Sequence, residues 1–177
     1  MSLSVVILAA GKGSRINSNK PKVLQTLAGK PLIEHVVSAV ENLGADNIIV
    51  VTGHMKEKVE ESLAGRNITF VYQEHQLGTG HAVQQALPYL KDQKTLVLYG
   101  DVPLISPEVL KNLENTTHDD DLGVLTAFVD NPKGLGRIIR DKFGSVESIV
   151  EEKDANDAQR QIQEINTGIY CAHKRLL

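Results

Sequence analysis

Residues 5–9, Val-Val-Ile-Leu-Ala, run without a polar break into Ala10-Gly11-Lys12-Gly13-Ser14-Arg15. So short an apolar run does not make a core helix, and its β-branched residues suit a strand buried on both faces. The glycines after it let the backbone turn tightly and approach a ligand where a Cβ would intrude. Successive N–H groups in such a loop form an anion-binding concavity. Arg15 and Lys22 add two cations beside it, so the natural ligand is a polyphosphate. Spacing excludes two other phosphate loops. A dinucleotide fingerprint needs a third glycine where Ile16 stands. A P-loop needs four residues between its glycines, and one separates Gly11 from Gly13. Gly-x-Gly alone also fits a plain strand-to-helix turn; Arg15 and Lys22 narrow the choice.

Beyond this loop, strand-like and helix-like stretches alternate. Residues 31–43 place Leu32, Ile33, Val36, Val37 and Val40 on one helical face, with Pro31 suited to a first turn and Gly44 to a stop. Buried strands are expected at 47–52, 68–72 and 95–99, and helices at 56–63, 79–90 and 107–113. Such alternation implies an α/β fold, a mostly parallel sheet with helices on both faces. Ligands bind such sheets at the carboxyl ends of strands. Three expected strands run there into unusual sequence, at 11–15, 73–79 and 99–101, which points to one composite site. After Asn115 the pattern changes to strands at 122–129, 137–140, 145–150 and 164–172, joined by glycine and proline turns. The polar stretch 151–163 reads as a loop or exposed helix. A first half, 1–115, is thus expected to precede a mixed, partly antiparallel half, 116–177, in one domain.

Composition narrows the function classes. The chain has 177 residues, enough for one domain with a real core. A net charge of −3 argues against a nucleic-acid or membrane-surface binder. The single Cys171 excludes an intrachain disulfide and fits a reducing compartment; it reads as a small buried hydrophobe. Neither a long apolar run nor a charged-then-apolar leader is present, so a cytoplasmic location is expected. Six histidines are scattered, and none pairs at a zinc-like spacing with cysteines.

Two further motifs carry chemistry. Tyr99-Gly100-Asp101 closes the fourth expected strand, where an Asp beside a triphosphate holds Mg²⁺ through oxygen; capping a turn is its other reading. In Gln73-Glu74-His75-Gln76-Leu77-Gly78-Thr79-Gly80, Gln73 offers the donor and acceptor that a pyrimidine edge requires. Gly78 and Gly80 permit close packing on a flat base. Thr79 either caps the next helix or touches ligand. Glu152, Lys153 and Asp154 read as a solvated charged turn.

The loop through Arg15 and Lys22 resembles the signature of sugar-nucleotide pyrophosphorylases. With residues 76–82, 99–101, 134–138 and 164–170, the chain from residue 3 onward resembles the N-terminal uridylyltransferase domain of bifunctional N-acetylglucosamine-1-phosphate uridylyltransferases. Ser14 and Ile16 depart mildly from the usual Thr and Met. The resemblance implies a Rossmann-like nucleotide-diphospho-sugar transferase fold. It implies that Leu8, Ala9, Ala10, Gly11 and Gly13 meet the uridine nucleotide through backbone, Arg15 and Lys22 its phosphates, and Gln73, Gly78 and Thr79 its uracil. Tyr99, Gly136, Glu151 and Asn166 would hold the sugar phosphate, with 1–115 as the nucleotide half and 116–177 as the sugar-phosphate half. Asp101 would be one Mg²⁺ ligand. Arg15, Lys22 and Asp101 would carry catalysis.

The implied reaction takes UTP and N-acetylglucosamine 1-phosphate to UDP-N-acetylglucosamine and pyrophosphate, a step toward peptidoglycan. Family domains extend several tens of residues further and supply there an Asn as second Mg²⁺ ligand. An acetyl-transferring β-helix, which carries the homo-oligomer contacts, follows. The expectation is therefore of a truncated domain. Two alternatives stand beside it: another sugar-1-phosphate nucleotidyltransferase, or one using CTP; and a fragment that binds nucleotide without turnover.

Overall fold

A computed structural model of the chain describes residues 3–11, 20–91 and 94–177. It resolves into two compact units, Met1–Gly123 with Tyr170–Leu177, and Val124–Ile169. The first unit opens with β1 (Leu3–Ala9), every residue of which is buried. The two-residue strands β2 (Thr26–Leu27) and β3 (Lys30–Pro31) form a small hairpin. Then α1 (Leu32–Leu43) buries Ile33, Val36, Val37 and Val40 and stops at Gly44, whose φ of 82° is the left-handed conformation a glycine adopts freely. Next come β4 (Asn47–Thr52), α2 (Lys56–Ser62), β5 (Thr69–Tyr72), α3 (Thr79–Ala86), β6 (Lys94–Tyr99) and α4 (Pro107–Thr116). Ser106 caps α4, its hydroxyl accepting from Glu108 N.

Four of these strands lie parallel in the order β5-β4-β1-β6. The chain therefore steps outward from β1 to β4 and β5, then returns to the other side of β1 with β6. Right-handed crossovers place α1 and α2 on one face and α3 on the other. Register agrees: Val6 stands opposite Ile49 and Val97, and these residues pack with Ala82 and Ala86 of α3. Alternate residues Val5, Ile7, Ile48 and Val50 point away from α3, and α1 packs on α4. The strand order reverses between β1 and β6, and the crevice at such a switch is where α/β sheets bind ligands.

In the second unit, β7 (Leu122–Phe128) brings the chain in, and β8 (Arg137–Arg140) and β9 (Val146–Val150) form an antiparallel hairpin. The helical turn α5 (Asp157–Arg160) precedes β10 (Glu164–His173). β10 pairs with β7 and, at Ile165, antiparallel with Arg137 of β8. Its last four residues belong to the first unit, where they run antiparallel to β6.

The α/β fold with a mostly parallel sheet is the one expected, and most strands fall within a residue or two of expectation. Two details differ, whereas residues 151–163 form the loop with exposed helix that was expected. The helix expected at 79–90 ends at Ala86 and tightens into a 3-10 turn over Leu87–Tyr89, because Pro88 has no N–H to continue the α ladder. Thr79 is the first residue of α3 and makes no cap; Gly78 holds that position at φ 108°. Residues 151–163 contain one helical turn, set by a capping box between Asn156 and Gln159. Among the described residues no helix is long and apolar enough to cross a membrane.

Candidate functional site

In the first unit a cavity of about 250 Å³ lies at the β1/β6 switch point, lined by Leu8, Ala9, Ala10, Gly11, Lys22, Val23, Gln73, Gln76, Gly78, Thr79, Ala82, Tyr99 and Asp101. Its floor is largely aliphatic and its polar groups are few, the composition typical of small-molecule sites. Each wall is fixed by the sheet. Gly100 N donates to Leu8 O at 2.9 Å, so the turn after β6 is tied to the end of β1. Gln73 N donates to Thr52 O at 2.8 Å, extending the β4–β5 ladder by one residue into the site. Gln76 Nε2 reaches across to Ala10 O at 2.7 Å. Gly53 packs so closely behind Ala10 that a Cβ there would stand 2.7 Å from the same oxygen.

Polar chemistry in the cavity comes from two sources. Lys22 opens a 3-10 turn anchored by buried Val23 and Leu24, and its Nζ lies 2.6 Å from Asp101 Oδ2. A cation and an anion thus meet at the end of β6. Gln73 is buried, and its Nε2 donates to Gly78 O at 3.2 Å and lies 2.9 Å from His81 Nδ1.

Of the residues expected at the nucleotide, Leu8, Ala9, Ala10, Gly11, Lys22, Gln73, Gly78 and Thr79 all line this cavity, as do Tyr99 and Asp101. Gly13 and Arg15 lie outside the described residues. Gln76 was not singled out by the sequence; its place in the string between Gln73 and Gly80 was the available signal.

The second unit gathers Gly136, Glu151 and Asn166. Asn166 N donates to Gly136 O at 2.9 Å, and Asn166 Oδ1 accepts from Gly168 N at 2.8 Å. A Cβ on Gly136 would stand 3.2 Å from Glu151 Oε1. The solvated-turn reading of Glu152 is overturned: its Oε2 lies 2.8 Å from Nη2 of Arg137 and accepts from Gly134 N at 3.1 Å. Arg137 is itself buried and bonds to the carbonyls of Leu135 and Arg160. The Arg137 guanidinium holds the Glu152 carboxyl below the usual range. The clamp therefore ties the turn that carries Gly136 to the segment that carries Glu151.

Among the described residues no cluster of three His, Cys, Asp or Glu side chains stands ready for an ion. Asp101 supplies one carboxylate at the cavity wall. That donor set fits Mg²⁺, which is commonly held by one or two carboxylates together with substrate phosphates and water.

Residues 5–164 match the family described as the MobA-like NTP transferase domain. The chain is 80% identical over all its 177 residues to the bifunctional protein GlmU of Francisella tularensis subsp. novicida and spans 39% of that relative's length. Among solved structures it resembles HddC from Yersinia pseudotuberculosis complexed with GMP-PN, at a TM-score of 0.78 and 27% identity, over 98% of this chain and 77% of that one. A putative glucose-1-phosphate thymidylyltransferase from Bacillus anthracis shares the fold at a TM-score of 0.78 and 22% identity, over 99% and 73% of the two chains.

Proposed function

The chain belongs to the MobA-like NTP transferase domain family, and from that premise we propose that it transfers a uridylyl group from UTP to N-acetylglucosamine 1-phosphate. The products are UDP-N-acetylglucosamine and pyrophosphate. The observation that carries this reading is the convergence, at one cavity, of the β1 terminus, the buried Gln73 and the Lys22–Asp101 pair. The motif resemblance and the identity to the Francisella relative support it.

An oxygen of the sugar phosphate attacks the α-phosphorus of UTP and pyrophosphate leaves in line, so no protein nucleophile is required. Both reactants are anions; the obstacles are repulsion and alignment. Lys22 supplies positive charge at the cavity wall, and the backbone at Ala9 and Ala10 together with Gln73 orients the base. Gly136, Glu151 and Asn166 are assigned to the sugar phosphate, with Glu151 accepting from hydroxyls and Asn166 able to donate and accept. Asp101 is the residue that would hold Mg²⁺, whose bound charge neutralises phosphate oxygens.

The test is pyrophosphate release from UTP and N-acetylglucosamine 1-phosphate with Mg²⁺, using this chain and a longer protein that contains it. Release that requires all three reagents is the expected result. Release with CTP or a different sugar phosphate in place of these would keep the family and replace the substrates. Nucleotide binding without release by this chain alone would identify it as the binding part of a larger catalytic unit.

A further inference from the structure

An amide side chain that reads a base is ambiguous by nature, since its oxygen and nitrogen ends have nearly the same shape. Gln73 would serve uracil, whose N3 carries a hydrogen, or cytosine, whose N3 is an acceptor, according to which end it presents. Three bonds around it remove the ambiguity. Gly78 O, a pure acceptor, lies 3.2 Å from Gln73 Nε2 and therefore fixes that end as the NH₂ group. This carbonyl cannot turn away, because it also accepts from Ala82 N at 3.2 Å in the first turn of α3. The second amide hydrogen is directed at His81 Nδ1, 2.9 Å away.

We infer that His81, through an unprotonated Nδ1, together with the Gly78 carbonyl, locks the Gln73 amide so that only its oxygen is left for the base, and that this lock selects uracil over cytosine. The inference rests on reading the first-unit cavity as the nucleotide site. Both hydrogens of the Gln73 NH₂ group are engaged, and among the described residues no donor bonds to Oε1. An acceptor at that point meets the N3–H of uracil and faces the N3 lone pair of cytosine. His81 is thus a positioning residue, acting on the base through Gln73.

The same logic fixes the imidazole. A neutral ring accepts at one nitrogen only. With Nδ1 accepting, Nε2 carries the hydrogen; Gln85 Nε2 stands 3.2 Å from it, so this tautomer requires the Gln85 amide to rotate by half a turn and present its oxygen there. The opposite arrangement would set the oxygen of Gln73 against the oxygen of Gly78. Gly78 is also the residue that permits the lock, because its φ of 108° aims the carbonyl back at Gln73 and is rarely open to other residues.

The test compares UTP and CTP binding by calorimetry, with Mg²⁺, in the unsubstituted chain, His81→Leu and His81→Asn, alongside ¹⁵N spectra of the imidazole without nucleotide. The unsubstituted chain is expected to prefer UTP. In His81→Leu the amide is free to turn over, and the preference falls by about tenfold or more, the worth of one buried polar mismatch. His81→Asn, whose oxygen can replace Nδ1 as acceptor, keeps most of the preference. The spectra should show the Nε2–H tautomer. A folded His81→Leu with undiminished preference, or a protonated Nδ1 in the unsubstituted chain, overturns the lock while leaving the uridylyl reading intact. Should His81→Leu fail to fold, the tautomer and His81→Asn decide. If the unsubstituted chain binds neither nucleotide, the cavity reading itself is wrong and the lock falls with it.

Discussion

Asp101 and Lys22 neutralise one another across 2.6 Å, so neither charge stands alone in the cavity before a ligand arrives. On the proposed reading, Asp101→Asn removes the anionic oxygen that would hold Mg²⁺ and should lower pyrophosphate release by about a hundredfold or more, with the melting temperature little changed. Near-normal turnover would remove Asp101 from the metal role. In the proposed reaction the charge of Lys22 would matter most as negative charge builds on the leaving group, so Lys22→Ala should lower kcat at saturating substrates. Cys171 carries a different expectation. It is fully buried, and that burial pushes its thiol pKa up. Its reaction with an aromatic disulfide reagent should be slow in the folded chain and rise with unfolding by urea; rapid labelling of the native chain would contradict this. At this scale the sequence revealed residues that end strands, such as Gln73 and Asp101, because a strand end can be read from an apolar run. Gln76 and Glu152 were hidden because their partners, Ala10 and Arg137, are met only after the chain has folded.

The elements that build the site depend on backbones pressed together rather than on side chains reaching out. Gly53, directly after β4, is the clearest instance: a Cβ there would lie 2.7 Å from Ala10 O and 2.9 Å from Ala10 Cβ. Gly53→Ala should therefore push the end of β1 aside, costing about 1–3 kcal/mol of stability and weakening UTP binding together with it. Loss of stability with unaltered binding would show that the β1 terminus does not shape the site. Elements with one dominant signal were legible: the unbroken apolar runs of β1 and β4, and the spacing of Ile33, Val36, Val37 and Val40 in α1. Where two signals competed, the local one prevailed. The apolar spacing that suggested a helix through Leu90 gave way to Pro88, and the hydroxyl of Thr79 gave way to the glycine before it. The Asn156–Gln159 capping box was written in the sequence, but a single turn offers no periodicity to draw attention to it.

On the scale of the molecule, the alternation of strands and helices made the parallel sheet legible, whereas the division of β10 between two units was not, since no local residue type marks where a strand changes partners. Acid should act on the second unit through Glu164. Its carboxylate bonds to Arg140 and to the Thr126 hydroxyl, and the Arg140 guanidinium above all holds its pKa below the ordinary glutamate value. A carboxylate depressed on folding contributes stability that is complete above the ordinary value of about 4.3 and is lost as pH falls through the lower, folded value. Hydrogen-exchange protection over residues 124–169, corrected for intrinsic rate, should fall across that window, and Glu164→Gln should flatten the dependence. The shared strand has one more consequence, in the order of events during synthesis. β6 leaves the ribosome with β1 already available on one side, but the residues that cover its other side, Tyr170 to His173, are made only after the whole second unit has been translated. Until then β6 is an open apolar edge on a nascent chain, at the stage when such edges recruit foreign strands.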